Sequence, residues 1–122
     1  MTSRGFLRDA DGATAVEFAL ASPIFFLGLF GLAQVGLWLW ADFSLQRAVD
    51  AASRCAAISC AADIKSYAVN ATVGLPVSTS AFTVTSASCG SNSSKVAATY
   101  SVPTFVPALP DITVNVSACY PT

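Results

Sequence analysis

The stretch that decides the fold is FALASPIFFLGLFGLAQVGLWLWA, from Phe18 to Ala41. None of its 24 residues is charged, and Gln34 is the only strongly polar side chain among them. About 20 apolar residues, at 1.5 Å of rise each, cross the hydrocarbon core of a bilayer. Trp38 and Trp40 stand at its far end, where an aromatic belt lies in membrane proteins. The sequence therefore predicts one transmembrane helix.

Two other interpretations of this stretch fit it less well than a membrane span does. A buried core helix in a soluble fold would need more surrounding chain than the remainder supplies. A cleaved secretory signal has an apolar region of only about 7–15 residues, followed by a small-residue cleavage site. This run is longer and ends in Trp40, with Asp42 just beyond it. The transmembrane interpretation is favoured over both.

Composition narrows the functional classes. The chain has 122 residues, of which 54% are hydrophobic and 11% are charged. Soluble domains carry about 25% charged residues. A net charge of -1 offers no basic field for nucleic acid. The chain has no histidine, which removes Ser-His-Asp catalysis and His-ligated metals. We predict that the protein is not an enzyme, and that it has no cofactor, no metal site and no nucleic-acid partner.

The apolar helix continues beyond the predicted span. Helical spacing of apolar residues without Gly or Pro extends it from Asp42 to about Ala57. Residues 58–60 interrupt the pattern. A second short helix is predicted from about Ala61 to Val73, because Gly74 followed by Pro76 is a helix stop signal.

In the last part of the chain, the spacing of apolar residues changes from helical to alternating. Apolar residues alternate with Ser and Thr around Phe82, from Val96 to Val102, and from Ile112 to Val116. Period-two alternation predicts strands of a sheet with one buried face. The amphipathic helix is the obvious cover for that face. The predicted fold class is α+β: a long N-terminal transmembrane and amphipathic helix, a short second helix, and a C-terminal antiparallel sheet of about three strands.

All four cysteines follow the span: Cys55, Cys60, Cys89 and Cys119. Disulfides persist in oxidising compartments, so an even number on one side places the C-terminal part outside the cytoplasm. Four-cysteine zinc sites usually contain two pairs of cysteines that are close in sequence, and only one close pair exists here. Four cysteines allow three connectivities. We favour Cys55–Cys60 with Cys89–Cys119, and the first pair requires the predicted break in the helix.

A short segment precedes the apolar run: Gly12-Ala-Thr-Ala-Val-Glu17-Phe18. Glu17 is the only acidic residue between Asp11 and Asp42. An ionisable group costs about 2.5–3.5 kcal/mol at the centre of a span and less near the interface. The plainest interpretation is a carboxylate that reaches back to the lipid headgroups.

This segment, fused to an uncharged helix, resembles a type IV prepilin signal. The closer resemblance is to TadE-like proteins, the pseudopilins of the tight-adherence (Tad/Flp) pilus system. It implies a pilin-like fold and cleavage by a prepilin peptidase between Gly12 and Ala13. It also implies that Glu17, followed by Phe18, pairs with the Ala13 amine of a neighbouring subunit. The implied partners are the membrane, the peptidase, other pilins and pseudopilins, and Tad inner-membrane assembly proteins.

The similarity reaches further along the chain. It includes Pro23, the section from Arg47 to Arg54, and the pattern Tyr100, Phe105, Pro107 and Leu109 before the last strand. What it implies for function is a role in pilus biogenesis and surface adherence. The alternative is an unprocessed single-pass membrane anchor that carries a small binding or secretion-accessory domain.

These expectations divide the chain into four parts. Residues 1–12 are expected to be a cytoplasmic leader, 13–41 the transmembrane helix, 42–77 an extracytoplasmic helical region and 78–122 a small sheet domain. The expected location is the inner membrane, crossed once, with the N-terminus in the cytoplasm and the C-terminal domain in the periplasm or outside.

Overall fold

The computed structural model describes residues 10–86, 88–105 and 109–122. Its elements, in chain order, are α1 (Ala10–Ala57), α2 (Ile64–Ala71), a 3-10 turn (Thr79–Ala81), β1 (Phe82–Ser86), β2 (Ser93–Val102) and β3 (Ile112–Pro121). The predicted α+β class, with a long first helix, a short second helix and a three-stranded antiparallel sheet, is confirmed. Residues 1–9 of the predicted leader, and Pro107, lie outside the described residues.

Helix α1 is one element of 48 residues, with Pro23 inside it. Proline cannot donate the helical hydrogen bond, a loss that neighbouring groups make tolerable in membrane helices. The helix ends where the sequence predicted. Ser59 has a positive φ of 51°, and the Cys60 N–H donates to the Cys55 carbonyl at 3.0 Å. A left-handed residue just past a helix is a common way to end it.

Helix α2 is shorter at its start than the sequence predicted, because Asp63 caps it. The Asp63 carboxylate accepts a hydrogen bond from the Lys65 N–H at 3.1 Å and another from the Ser66 hydroxyl. The Ser66 hydrogen bond, helped by the backbone N–H groups and the Lys65 charge against a smaller desolvation effect, lowers the pKa of Asp63. A capping side chain of this kind satisfies backbone donors that the first turn leaves unpaired.

The end of α2 also comes earlier than predicted. The Thr72 N–H and hydroxyl both donate to the Val69 carbonyl, at 3.2 and 2.7 Å. This closes the last turn before Gly74, so the helix stops at Ala71 and not at Val73. Gly74 itself lies in the following loop with a φ of +72°, a conformation that glycine adopts at little cost.

The sheet is an antiparallel meander in the order β1-β2-β3. Phe82 is paired with Ala98, and Ala98 with Val116, so these three residues form a row across one face. All three are buried. On the other face, the Thr99 hydroxyl donates to the Asn115 side-chain oxygen across the β2–β3 pair at 2.8 Å. One apolar and one polar face are what the period-two alternation predicted.

The core lies between α1 and this sheet. Leu45, Ala48, Val49 and Ala52 of α1 pack in one cluster with Phe82, Val96, Ala98 and Val116 of the strands and with Ala68 of α2. The predicted cover for the apolar face of the sheet is therefore confirmed.

The chain forms two compact units, one ending at Gln34 and the other running from Val35 to Thr122. The first contains the N-terminal part of α1. The second contains the rest of α1, α2 and the sheet. The division at Ala41, predicted from the end of the uncharged run, concerns the membrane boundary and stays a prediction.

Candidate functional site

The segment predicted to carry function lies at the start of α1. Gly12, Ala13, Glu17 and Phe18 are all helical and exposed. A side-chain carbon added at Gly12 would meet nothing within 4 Å. Packing among the described residues therefore gives no reason for glycine there, although glycine in a helix costs about 0.5–1 kcal/mol relative to alanine.

Helical geometry places Glu17 one turn after Ala13. At 3.6 residues per turn, Ala21 and Gly28 project on the same side of the helix as Glu17. Around Gly28, side chains form an open apolar groove lined by Ile24, Phe25, Leu29 and Leu32. The first unit thus presents an acidic group at the start of an apolar, small-residue face.

The apolar run is exposed along most of the first unit, and Gln34 at the end of that unit is buried. Phe18, Ile24 and Leu32 each expose more than 70% of their surface, and none of the most apolar window of α1 is buried. A core helix of this chain's own fold would be covered, so that alternative does not fit the described residues. By length and composition alone, α1 contains a helix able to cross a membrane.

The end of the apolar run, from Val35 to Ala41, belongs to the second unit and is partly covered there. Leu37, Trp40 and Ala41 line a pocket of about 190 Å³ together with residues of the α2–β1 loop, of β2 and of the β2–β3 connection: Gly74, Leu75, Tyr100, Val102, Pro103 and Phe105. A side-chain carbon at Gly74 would lie 3.7 Å from the Trp40 Nε1 atom. The Trp40 indole is therefore seated on the loop that follows α2.

A buried hydroxyl fixes the same loop to α1. The Val73 N–H donates to the Ser44 Oγ atom at 3.0 Å, and that hydroxyl faces the Val73 carbonyl at 3.4 Å. Ser44 is buried, so Val73 supplies the partner that a buried hydroxyl needs. These contacts fix the position of the loop along the axis of α1.

The other end of the sheet is held to the end of α1. The Arg54 guanidinium lies over the Tyr120 ring, 5.7 Å from its centroid, which is within the range of a cation–π contact. The strands therefore run along this part of the helix, from Trp40 at one end to Arg54 at the other.

All four cysteines are bonded in two disulfides. Cys55 is bonded to Cys60 across the end of α1, with a Cα–Cα distance of 5.0 Å. Cys89, in the β1–β2 loop, is bonded to Cys119 of β3, with a Cα–Cα distance of 6.3 Å. This is the pairing that the sequence analysis favoured. Within the described part of the chain, no group of three His, Cys, Asp or Glu side chains is placed to hold a metal ion.

Sequence reasoning missed the contacts that set the height of the sheet along α1. Neither the Arg54–Tyr120 pair nor the Ser44–Val73 pair has a periodic signature, because each joins residues far apart in the chain. The one available signal was Gly74, whose role as a stop signal hid its contact with Trp40.

A comparison with known protein families finds a match for most of α1. Residues 12–54 match the model of the family described as TadE-like protein. The matched range begins at Gly12, contains Glu17 and the whole apolar run, and ends at Arg54; it does not reach the sheet. No curated protein matches the chain, and no solved structure does. Over residues 12–54, the N-terminal helix is similar to that of TadE-like proteins.

Proposed function

We propose that this chain is a minor pseudopilin of a Tad (Flp) type IV pilus, cut by a prepilin peptidase after Gly12, and that it contributes to pilus biogenesis and surface adherence. The TadE-like match relates it to the Tad pilus system at the coarser level. One observation carries the finer proposal. The family match begins at Gly12, and Glu17 stands exposed at the start of an uncovered apolar helix.

The proposed topology is a single pass through the inner membrane, with the N-terminus in the cytoplasm. Both disulfides lie in the second unit, on the C-terminal side of the apolar run. Because disulfides persist in oxidising compartments, they support a periplasmic or extracellular position for the sheet domain.

Processing would create a charge partner for Glu17. Cleavage after Gly12 makes the Ala13 nitrogen a cationic amine, four residues before Glu17. In a low-dielectric setting, a carboxylate is stabilised strongly by an opposite charge only when the pair is actually formed. Glu17 of one subunit paired with the Ala13 amine of a neighbour would therefore favour association in one register.

The glycines of the helix support contacts with other subunits. Gly28, Gly31 and Gly36 have nothing within 4 Å of the position that a side chain would occupy. Glycine lowers helix stability by about 0.8–1.0 kcal/mol per residue, and no described part of this chain uses the space. Small residues in membrane helices allow neighbouring helices to approach closely. Packing against pilins, pseudopilins or Tad assembly proteins explains their presence.

The test of processing is the intact mass of the chain isolated from cells with an active prepilin peptidase. We expect the mass of a chain that starts at Ala13. Gly12→Leu is expected to abolish the cut, because side-chain bulk is added where the peptidase binds the backbone. Gly36→Leu adds the same bulk away from the cleavage site and serves as the matched control. A wild-type chain that still starts at Met1 would contradict the processing step.

The alternative function is an unprocessed single-pass anchor for a binding or secretion-accessory domain. It is favoured by a sheet domain with its own disulfide, Cys89–Cys119, outside the matched range of residues 12–54. Glu17→Ala separates the two functions. Under the pseudopilin proposal, surface adherence and pilus assembly are lost while membrane insertion persists. The neighbouring Val16→Ala is the control, and unchanged adherence in Glu17→Ala would favour the alternative.

A further inference from the structure

The connection between β2 and β3 leaves the sheet beside the end of the apolar run. Phe105 and Pro103 line the same pocket as Leu37 and Trp40 of α1. The first charge after the apolar run is Asp42, immediately beyond this level. The second unit therefore brings the start of the β2–β3 connection to the turn of α1 at which the chain's own apolar run ends.

The opposite end of the sheet is far from that turn. The Tyr120 ring lies under Arg54, which is 14 residues after Trp40 in α1. At 1.5 Å per residue, this separation is about 21 Å along the helix axis. The domain thus has a near end, marked by Trp40 and Phe105, and a far end, marked by Arg54 and Tyr120.

The near end exposes a large apolar side chain. Phe105 is 73% exposed, although the pocket beside it is apolar. Hydrogen bonds of Thr104 join the two ends of this connection. The Thr104 hydroxyl donates to the Leu109 carbonyl at 3.1 Å and lies 3.4 Å from an Asp111 carboxylate oxygen. The Thr104 N–H also approaches that carboxylate oxygen at 3.4 Å. The residue before Phe105 is therefore held in place.

We propose that Phe105 is a membrane-contacting residue, which enters the headgroup region of the leaflet at which α1 leaves the bilayer. This inference rests on the transmembrane part of the proposed function. It adds a second contact between the domain and the membrane, besides α1. The bound surface is lipid, and the contact fixes how the sheet domain stands on the membrane.

Charge and chemistry favour lipid as the occupant. Asp111 is the only charged residue from Val96 to the last residue in the sequence, and its carboxylate faces Thr104. Besides Asp42 of α1, Asp111 is therefore the charged group that this end of the sheet domain would bring toward the headgroups. Phenylalanine is among the residues that interfacial segments bury at the headgroup boundary. Trp40 stands at the end of the apolar run, where the proposed span would meet that boundary. A stable protein interface buries about 800 Å² per partner, far more than one phenylalanine provides.

The experiment is site-specific photo-crosslinking of the full chain in nanodiscs of phosphatidylethanolamine and phosphatidylglycerol. Benzoylphenylalanine replaces Phe26, Phe105 or Tyr120 in three separate proteins. Phe26 tests the span, Phe105 tests the inference, and Tyr120 is the matched exposed aromatic control at the far end. Lipid adducts are measured by mass spectrometry, and both disulfides are verified in each protein.

We expect lipid adducts at positions 26 and 105. The yield at position 105 should exceed that at position 120 by about tenfold or more, since 21 Å of helix rise exceeds the roughly 5–10 Å depth of interfacial contact. Adducts at 26 without adducts at 105, or only protein adducts at 105, would overturn the inference and leave the span intact. Equal yields at 105 and 120 would overturn it too. No adduct at 26 would overturn the span and the inference together.

Discussion

Residues 18–33 and 41–52 belong to the same helix, yet their surroundings are opposite. Leu32 is 77% exposed, whereas Leu45, thirteen residues later, is fully buried. Both sections are rich in apolar residues and both are helical without a break. Only the second section has a sheet to pack against.

The contrast shows that helix formation and burial are decided separately. Local spacing and propensity make both sections helical. Burial requires a partner surface, and the strands supply one from residues 82–121 for the second section alone. The first section has no such partner among the described residues and leaves its apolar surface exposed, which is the observation behind the proposed membrane span and assembly role.

The sharpest test of this contrast compares two leucines of α1. Leu45→Ala should lower the free energy of unfolding of the second unit by about 3–5 kcal/mol, because it leaves a cavity in the core. Leu32→Ala removes the same atoms from an exposed position and should leave that free energy nearly unchanged. Denaturant unfolding of the full chain in detergent micelles, followed by near-ultraviolet circular dichroism, measures both. Equal losses would show that the two sections are not different in burial.

Removing each disulfide tests whether these bonds stabilise only the second unit, in which residues 41–52 pack on the sheet, and not residues 18–33. Removing Cys89–Cys119, which joins residues 30 apart, should cost about 3.5 kcal/mol on the chain-entropy model. Removing Cys55–Cys60, only 5 apart, should cost about 2 kcal/mol. Paired Cys→Ser variants, unfolded under the same conditions, give the difference. Helicity at residues 18–33, followed by hydrogen exchange, should stay at the wild-type level in both.

A smaller effect is expected at the hydroxyl that joins α1 to the loop after α2. Ser44→Ala leaves the Val73 N–H without its partner and should cost about 1–3 kcal/mol. The exposed Ser101→Ala is the matched control and should be nearly neutral. The unfolding midpoint of each variant decides the matter, and a neutral Ser44→Ala would mean that water replaces the hydroxyl.

The smallest expected effect concerns the cap of α2. Because hydrogen bonds to its ionised form lower the pKa of Asp63, the carboxylate stabilises α2 above its unfolded pKa of about 3.9. That stability is lost as the pH falls through the lower, folded pKa. Backbone chemical shifts of α2 should therefore lose helical character on acidification to that range. Asp63→Asn should remove the dependence, and a dependence that survives in Asp63→Asn would implicate another group.

Much of the fold follows from periodicity. The switch from helical spacing up to Ala57 to alternation after Phe82 predicted the α+β class, an antiparallel sheet of about three strands and its cover by the amphipathic helix. The limits of α2 were less predictable, because they depend on the side-chain caps at Asp63 and Thr72. A cap adds one or two local hydrogen bonds and leaves no trace in the hydrophobic period.

The candidate site divides in the same way. Glu17 beside an uncharged run is visible in the sequence alone, because an acidic group at the edge of a span is costly. The role of Phe105 at the near end of the domain is not, because it depends on which turn of α1 the end of β2 approaches. That height is set by Ser44 with Val73 and by Arg54 with Tyr120, pairs separated by many residues.

The sequence by itself determined that the chain has one long apolar helix, an acidic residue at its start and an alternating, weakly charged C-terminal part. These properties are local, since each depends on neighbours within a few residues. It took the tertiary structure to select one of the three possible cysteine pairings and to show which end of the sheet lies beside Trp40. Those outcomes depend on long-range packing, in which the burial of Leu45, Phe82 and their neighbours selects one arrangement of the strands on the helix.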